Sequence, residues 1–193
     1  MSLSLKGNVP AIILVVAYLA FVSFAISDSA RSEEQHAAIK TQASLGQPLR
    51  LKIPRISVDA GLERVGLMPD KSLGVPKDPA NAGWFENGPL PGQIGSSVID
   101  GHFGWWNRMP AAFDSLIELQ IGDRIYVEYG DGRTVGFVVR DVRTFGKDES
   151  TSSVFTSSDG KAHLNLITCV GPWNAMQQSY PSRLVVFGDM ITD

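Results

Sequence analysis

Residues 124–145 read RIYVEYGDGRTVGFVVRDVRTF, the clearest indication of the fold class in this chain. Apolar and polar residues alternate over residues 124–129, Gly130-Asp131-Gly132 turns the chain, and a second strand-like run returns over residues 133–145. The stretch therefore predicts a β-hairpin. Further short apolar runs that favour strands lie at residues 51–58, 62–67, 96–99, 163–168 and 182–188.

The other segments contain little helix. Residues 109–120 are the best helix candidate, because Phe113, Leu116 and Ile117 follow a helical repeat. Residues 68–95 are rich in Pro, Gly, Asn and Asp and are predicted to be mostly loop. Many short strands with one short helix predict an all-β domain, which we expect to be a closed or nearly closed antiparallel barrel of about eight strands.

The N-terminus carries a membrane signal. Residues 7–27 are 21 residues without a charge, close to the ~20 needed for a helix that spans a bilayer. Lys6 precedes this segment and acidic residues follow it, so the predicted orientation places the rest of the chain outside the cell. A cleaved signal peptide is the alternative, because the segment ends in the small-x-small pattern Ala25-Ile26-Ser27.

These features divide the chain into three parts. Residues 1–27 are a membrane anchor or signal segment, residues 28–48 a polar extracellular stalk, and residues 49–193 the barrel domain. The predicted location is therefore the cell membrane, with a single transmembrane helix and an extracellular domain.

Composition excludes several function classes. The net charge of -3 gives no basic surface for nucleic acid. One cysteine cannot form an intramolecular disulfide, and no CxxC or HExxH spacing is present, so we predict neither a metal centre nor another cofactor. Calcium binding by carboxylates alone is left open.

Three residues could together carry chemistry. Cys169 follows the strand at 163–168, and His102 follows the strand at 96–99, in DGHFG. Arg183 begins the last strand, and if that strand pairs with the one before Cys169, its guanidinium would favour a thiolate and hold an oxyanion. His163 is a poorer partner, because it starts the strand that Cys169 ends, roughly 20 Å away. The alternatives are a buried structural cysteine, a turn histidine and a surface arginine.

These residues stand in motifs that resemble the sortase family. LITCVG followed by SRLVVFG is similar to its signature, in which Thr-Leu-x-Thr-Cys precedes an arginine one loop later, although Asn165 replaces the first threonine. VIDGH resembles the strand end that carries the family's histidine, and IPRISVDAGLERVGL resembles its first strands. The resemblance covers residues 51–189. GWFENGPLPGQIGSSVIDGHFG is nearest to class F, with class E or D as alternatives.

The resemblance implies a membrane-anchored cysteine transpeptidase with a sortase-like barrel. Cys169 would attack a sorting signal similar to Leu-Pro-x-Thr-Gly, His102 would be the general acid and base, and Arg183 would stabilise the oxyanion. The implied partners are surface proteins that carry the signal and an amine from a cell-wall precursor or a pilin. The implied substrate contacts are Thr168, Val154, Phe155 and Trp173.

Two other functions are compatible with the sequence. An extracellular cysteine peptidase or hydrolase would form the same thioester and release it to water. A membrane-anchored binding module would explain the anchor and the barrel without catalysis.

Overall fold

The structure is a computed structural model that describes residues 46–104, 110–146 and 149–192. The elements in chain order include eight strands, one short α-helix and two 3-10 turns, at Pro54–Ile56 and Leu116–Glu118. The helix, α1, spans Ser152–Phe155. The strands are β1 Pro48–Ile53, β2 Val58–Val65, β3 Ala82–Phe85, β4 Gly95–Gly101, β5 Arg124–Tyr129, β6 Thr134–Gly146, β7 Ala162–Val170 and β8 Ser182–Met190.

The strands close into a barrel in the order β1-β2-β3-β4-β7-β8-β6-β5. The predicted all-β closed barrel with little helix is therefore confirmed. The expectation of a purely antiparallel barrel is wrong, because β2 pairs with β3 and β4 pairs with β7 in parallel. The long connection at residues 66–81 returns the chain to the starting end of β2 before β3 begins, which a tight hairpin cannot do.

Side chains that alternate along the strands build two separate cores. The barrel interior contains fully buried residues such as Ile99, Leu166 and Val186. The neighbouring residues Val98 and Val185 point to the outside of the same wall and form a second cluster with Val154 of α1. Helix α1 therefore covers part of the outer face of β4, β7 and β8.

The predicted helix at 109–120 is wrong in its described part. Residues 110–120 form turns and the 3-10 turn Leu116–Glu118. The Asp114 carboxylate accepts hydrogen bonds from the backbone N–H groups of Ala111 (2.9 Å) and Gly104 (2.8 Å), a local alternative to helical bonding. Phe113 and Leu116 are nevertheless buried. The spacing of the apolar residues therefore indicates which side chains are buried, not that the segment is a regular helix.

The predicted transmembrane segment at residues 7–27 lies outside the described residues. Within the described ranges, no helix has the length and apolar character needed to cross a membrane.

Candidate active site

A cavity of about 890 Å³ lies on the outer face of the barrel wall, where β4 and β7 end and β8 begins. Its lining includes Asp100 from the end of β4, His102 directly after that strand, Cys169 from β7 and Arg183 from β8. The other walls come from residues 72–75 between β2 and β3, residues 103–104 after His102 and residues 173–180 between β7 and β8. The three predicted catalytic residues therefore line one cavity, on the outside of the barrel at one end.

Cys169 and Arg183 are direct cross-strand neighbours. Strands β7 and β8 pair antiparallel with Cys169 opposite Arg183, so both side chains project from the same face of the sheet. The guanidinium Nη1 donates to the carbonyl oxygens of Ser182 (3.1 Å) and Tyr180 (3.3 Å). These two backbone contacts hold the arginine over the sheet face that carries the thiol.

Cys169 is the only cysteine in the chain, and it is half-buried. Burial raises the pKa of this thiol, because a thiolate loses solvation in the cavity. The positive charge of Arg183 lowers the pKa of Cys169, and the nearby carboxyl of Asp100 raises it. Arg183 is therefore the group in the cavity that favours the nucleophilic thiolate.

His102 is oriented by the connection between β2 and β3. Its Nε2–H donates to the carbonyl oxygen of Pro76 at 2.9 Å, since a carbonyl can only accept. The neutral imidazole therefore carries its lone pair on Nδ1. Gly101 precedes His102, and a Cβ at this position would lie 2.6 Å from the ring of Phe113, so a side chain there would displace the aromatic residue that packs under the strand end.

Thr168 links the two strands that present the cysteine and the histidine. Its Oγ1 donates to the carbonyl oxygen of Gly101 at 2.7 Å, and its side chain is buried. Thr168 lies directly before Cys169, and Gly101 lies directly before His102. The bond therefore fixes the relative position of the two strand ends, and Thr168, a predicted substrate contact, also lines the cavity.

Trp173 belongs to an aromatic cluster that covers one end of the cavity. Its ring contacts that of Tyr180 edge to face with centroids 5.1 Å apart, and Tyr180 contacts Phe103 at 5.6 Å. The Tyr180 hydroxyl also reaches the carbonyl oxygens of Phe103 (3.2 Å) and Gly104 (3.3 Å). Trp173 is 54% exposed and lines the cavity, which places it where it could contact a bound peptide.

Val154 and Phe155 do not line the cavity. Val154 is fully buried in the outer cluster, and Phe155 packs edge to face on Phe85 with ring centroids 5.8 Å apart. A side chain sealed between α1 and the sheet cannot touch a peptide, so Val154 is a core residue in this structure. Asn165, which stands where the family signature has threonine, donates from Nδ2 to the Val154 carbonyl oxygen at 2.6 Å and so anchors α1.

His163 lies away from the cavity, as expected from its place at the start of β7. Its ring nitrogens contact the carboxylates of Asp189 (2.8 Å) and Asp159 (3.0 Å), and its side chain is buried. Among the residues that the structure describes, no group of three or more His, Cys, Asp or Glu side chains is arranged to hold a metal ion.

Sequence reasoning missed two residues of the site, Asp100 and Tyr180. Asp100 is in the VIDGH motif, and strict alternation along β4 would have placed it on the outer face with Val98. Tyr180 lies in an irregular connection, and no sequence pattern indicates that it returns to contact the chain after His102.

Comparisons with known proteins agree with this architecture. A family model described as "Sortase domain" matches residues 51–191. A sortase C1 structure from Streptococcus agalactiae aligns with a TM-score of 0.58 and 25% identity over 77% of this chain and 69% of that chain. Sortase C-1 from Actinomyces oris aligns with a TM-score of 0.60 and 22% identity over 84% of this chain and 99% of that one.

Sortase A from Corynebacterium diphtheriae aligns with a TM-score of 0.58 and 22% identity over 78% of this chain and 63% of that one. No curated protein sequence matches the chain.

Proposed function

The chain belongs to the sortase family, and we therefore propose that it cleaves a Leu-Pro-x-Thr-Gly-like sorting signal and transfers the acyl part to an amine. Cys169 is the proposed nucleophile, His102 the general acid and base, and Arg183 the oxyanion-stabilising group. The observation that carries the proposal is that the only thiol lies opposite Arg183 in the same cavity as His102.

In the first half-reaction, the Cys169 thiolate attacks the carbonyl carbon of the Thr-Gly bond. A C–S bond forms, and the electron pair of the C=O bond moves to oxygen, where Arg183 stabilises the negative charge. The C–N bond then breaks, and protonated His102 gives its proton to the leaving amine. The products are a thioester on Cys169 and a peptide with a new amino terminus.

In the second half-reaction, an amine of a cell-wall precursor or a pilin attacks the thioester carbon. His102, now neutral, takes the proton of the attacking amine as the C–N bond forms and the C–S bond breaks. Cys169 leaves as a thiolate beside Arg183, and the enzyme returns to its starting protonation state. The atoms and charges of the cycle therefore balance without a cofactor.

The proposal also includes a location and a subclass. An anchor at residues 7–27 would hold the barrel domain outside the cell membrane, where surface proteins and wall precursors are found. The motif around His102 supports class F over classes E and D. Trp173 and Thr168, which both line the cavity, are the proposed substrate contacts, and Thr168 also holds the strand ends together.

The test is incubation of the full chain with a library of sorting-signal peptides, with and without an amine acceptor. We expect mass spectrometry to detect an acyl adduct on Cys169 and, when the amine is added, a new amide product. Cys169→Ala should form neither species, while Ser57→Ala, a change in a turn outside the cavity, should form both.

The same experiment distinguishes the rival functions. A free acid that stays the main product when the amine is in excess would identify a hydrolase. Peptide binding that Cys169→Ala retains, without any adduct or turnover in the unsubstituted chain, would identify a binding module and contradict the proposal.

A further inference from the structure

The cavity contains a buried carboxyl group that the proposed mechanism does not use. Asp100 is 9% exposed, and its Oδ1 has no hydrogen-bond partner within residues 46–104, 110–146 and 149–192. Asp100 lines the same cavity as Cys169. Buried polar atoms are normally bonded. Oδ1 lies against Gly83 of β3, so a partner that arrives with the substrate would meet this carboxyl group from its Oδ2 side, in the wall of the cavity.

The fold makes room for this carboxyl. Asp100 pairs with Gly83 of β3 on one side and with Ile167 of β7 on the other. A Cβ on residue 83 would lie 2.7 Å from Asp100 Oδ1, so a side chain there would collide with the carboxyl. The position opposite Asp100 therefore needs a glycine.

The surroundings keep the carboxyl protonated. Burial raises the pKa of Asp100 to about 8, so near neutral pH the group is mainly a carboxylic acid. The neutral acid has one O–H donor and retains acceptor capacity. A hydroxyl group, which also donates and accepts, is the matching partner, whereas a methyl group would leave the acid without a bond.

The sheet places this acid near the Cys169 thiol. Asp100 is opposite Ile167, which lies two residues before Cys169 on the same face of β7. An acyl group that bonds to Cys169 must lie against this face of the sheet, which brings the side chain of its last residue into the neighbourhood of Asp100.

From this geometry we propose that Asp100 is a specificity-determining residue that hydrogen-bonds the side-chain hydroxyl of the residue at the scissile carbonyl. The substrates it selects are acyl donors with threonine or serine at this position. The inference rests on the proposed transpeptidase function and adds to it the group in this protein that recognises the hydroxyl.

The experiment compares two peptides that differ only at the scissile residue, one with threonine and one with valine, which has nearly the same shape without the hydroxyl. The full chain should show a kcat/KM for thioacyl formation that is about 10- to 100-fold higher for the threonine peptide, because valine leaves the buried acid unpaired. Asp100→Leu should bring this ratio close to one, and Asp100→Asn, which keeps a donor and an acceptor, should retain most of it.

Asp131→Asn is the matched control, since Asp131 is an exposed carboxylate in the turn between β5 and β6, and it should leave the ratio unchanged. If Asp100→Leu does not fold, Asp100→Ala replaces it. A ratio near one in the unsubstituted chain, or an unchanged ratio in the leucine or alanine variant, would overturn the role of Asp100 while leaving the transpeptidase proposal intact. Failure of every peptide to form an adduct on Cys169 would instead contradict the transpeptidase proposal.

Discussion

Thr168 donates a 2.7 Å hydrogen bond to the carbonyl oxygen of Gly101, and so joins the residue before Cys169 to the residue before His102. The two strands involved, β4 and β7, are parallel and not consecutive in the chain, so no tight turn fixes their ends relative to each other. The bond is buried and directly underlies the cavity. The separation of Cys169 and His102 therefore depends on a buried side chain that also forms part of the cavity wall.

Thr168→Val should lower both stability and activity. Valine keeps the shape but removes the donor, so we expect the free energy of unfolding to fall by roughly 1–2 kcal/mol. We also expect kcat to fall, because the strand end that holds His102 loses its tie to β7. Urea unfolding and peptide turnover measure the two effects.

Thr144→Val is the matched control for this change, since Thr144 is exposed on β6 and a methyl group there alters no buried contact. If Thr168→Val unfolds at the same urea concentration as the unsubstituted chain, the bond to Gly101 does not contribute to stability as argued.

Arg183→Ala should make the Cys169 thiol less acidic. Burial raises the pKa of Cys169 and the charge of Arg183 opposes this effect, so removing the charge moves the pKa further up. The rate of iodoacetamide alkylation against pH reports on this thiol alone, because the chain contains one cysteine. The midpoint of that profile should shift to higher pH in Arg183→Ala and shift less in Arg183→Lys, which keeps a positive charge.

Arg140→Ala removes an arginine that pairs with Asp189 outside the cavity and should leave the midpoint in place. A profile that is identical in Arg183→Ala and the unsubstituted chain would show that the guanidinium does not act on the thiol.

Much of the barrel could be predicted because its longest hairpin carries a local signal. Alternating residues and Gly130-Asp131-Gly132 predict β5 and β6, and the observed strands agree with this to within a residue at each end. Strand β3 was missed because its four residues, Ala82–Phe85, lie in a segment rich in turn-forming residues. It is a strand because it pairs with β2 and β4, which are non-local contacts that no short window contains.

The positions of site residues could be predicted from the sequence where a strand end carries them, but not where a loop carries them. Cys169 and Arg183 follow from the pairing of two recognisable strands. The covering of the cavity by Tyr180 depends on the course of an irregular connection, and the burial of Val154 depends on how α1 packs on the sheet. Both features depend on tertiary packing. The loop at residues 146–160 is mostly polar apart from Val154 and Phe155, and such a pattern looks the same in sequence whether the loop binds a ligand or packs on the barrel.

Tyr180→Phe should weaken catalysis with little effect on the barrel. The substitution keeps the ring contacts with Trp173 and Phe103 but removes the hydroxyl that reaches the backbone carbonyls of Phe103 and Gly104. The connection after β7 is then no longer tied to the chain that follows His102. A hydrogen bond of this kind contributes about 1 kcal/mol, so kcat/KM should fall about two- to tenfold.

Tyr126→Phe, on β5 and outside the cavity, is the control, and its kcat/KM should match that of the unsubstituted chain. Equal kcat/KM values for Tyr180→Phe and Tyr126→Phe would rule out a role for the Tyr180 hydroxyl in holding the site.

Asp100 should make the protein less stable as the pH rises towards 8. Its pKa is raised from the ordinary 3.8 to about 8, so between these values the folded chain holds a proton that the unfolded chain releases. Unfolding therefore becomes more favourable with increasing pH, by up to about 1.4 kcal/mol per pH unit from this group. The asparagine side chain in Asp100→Asn cannot ionise, so the variant lacks this contribution to the pH dependence of the unfolding free energy. In urea unfolding at pH 5 and pH 7, its stability relative to the unsubstituted chain should increase with pH. A constant difference would mean that Asp100 has similar pKa values in the folded and unfolded chains.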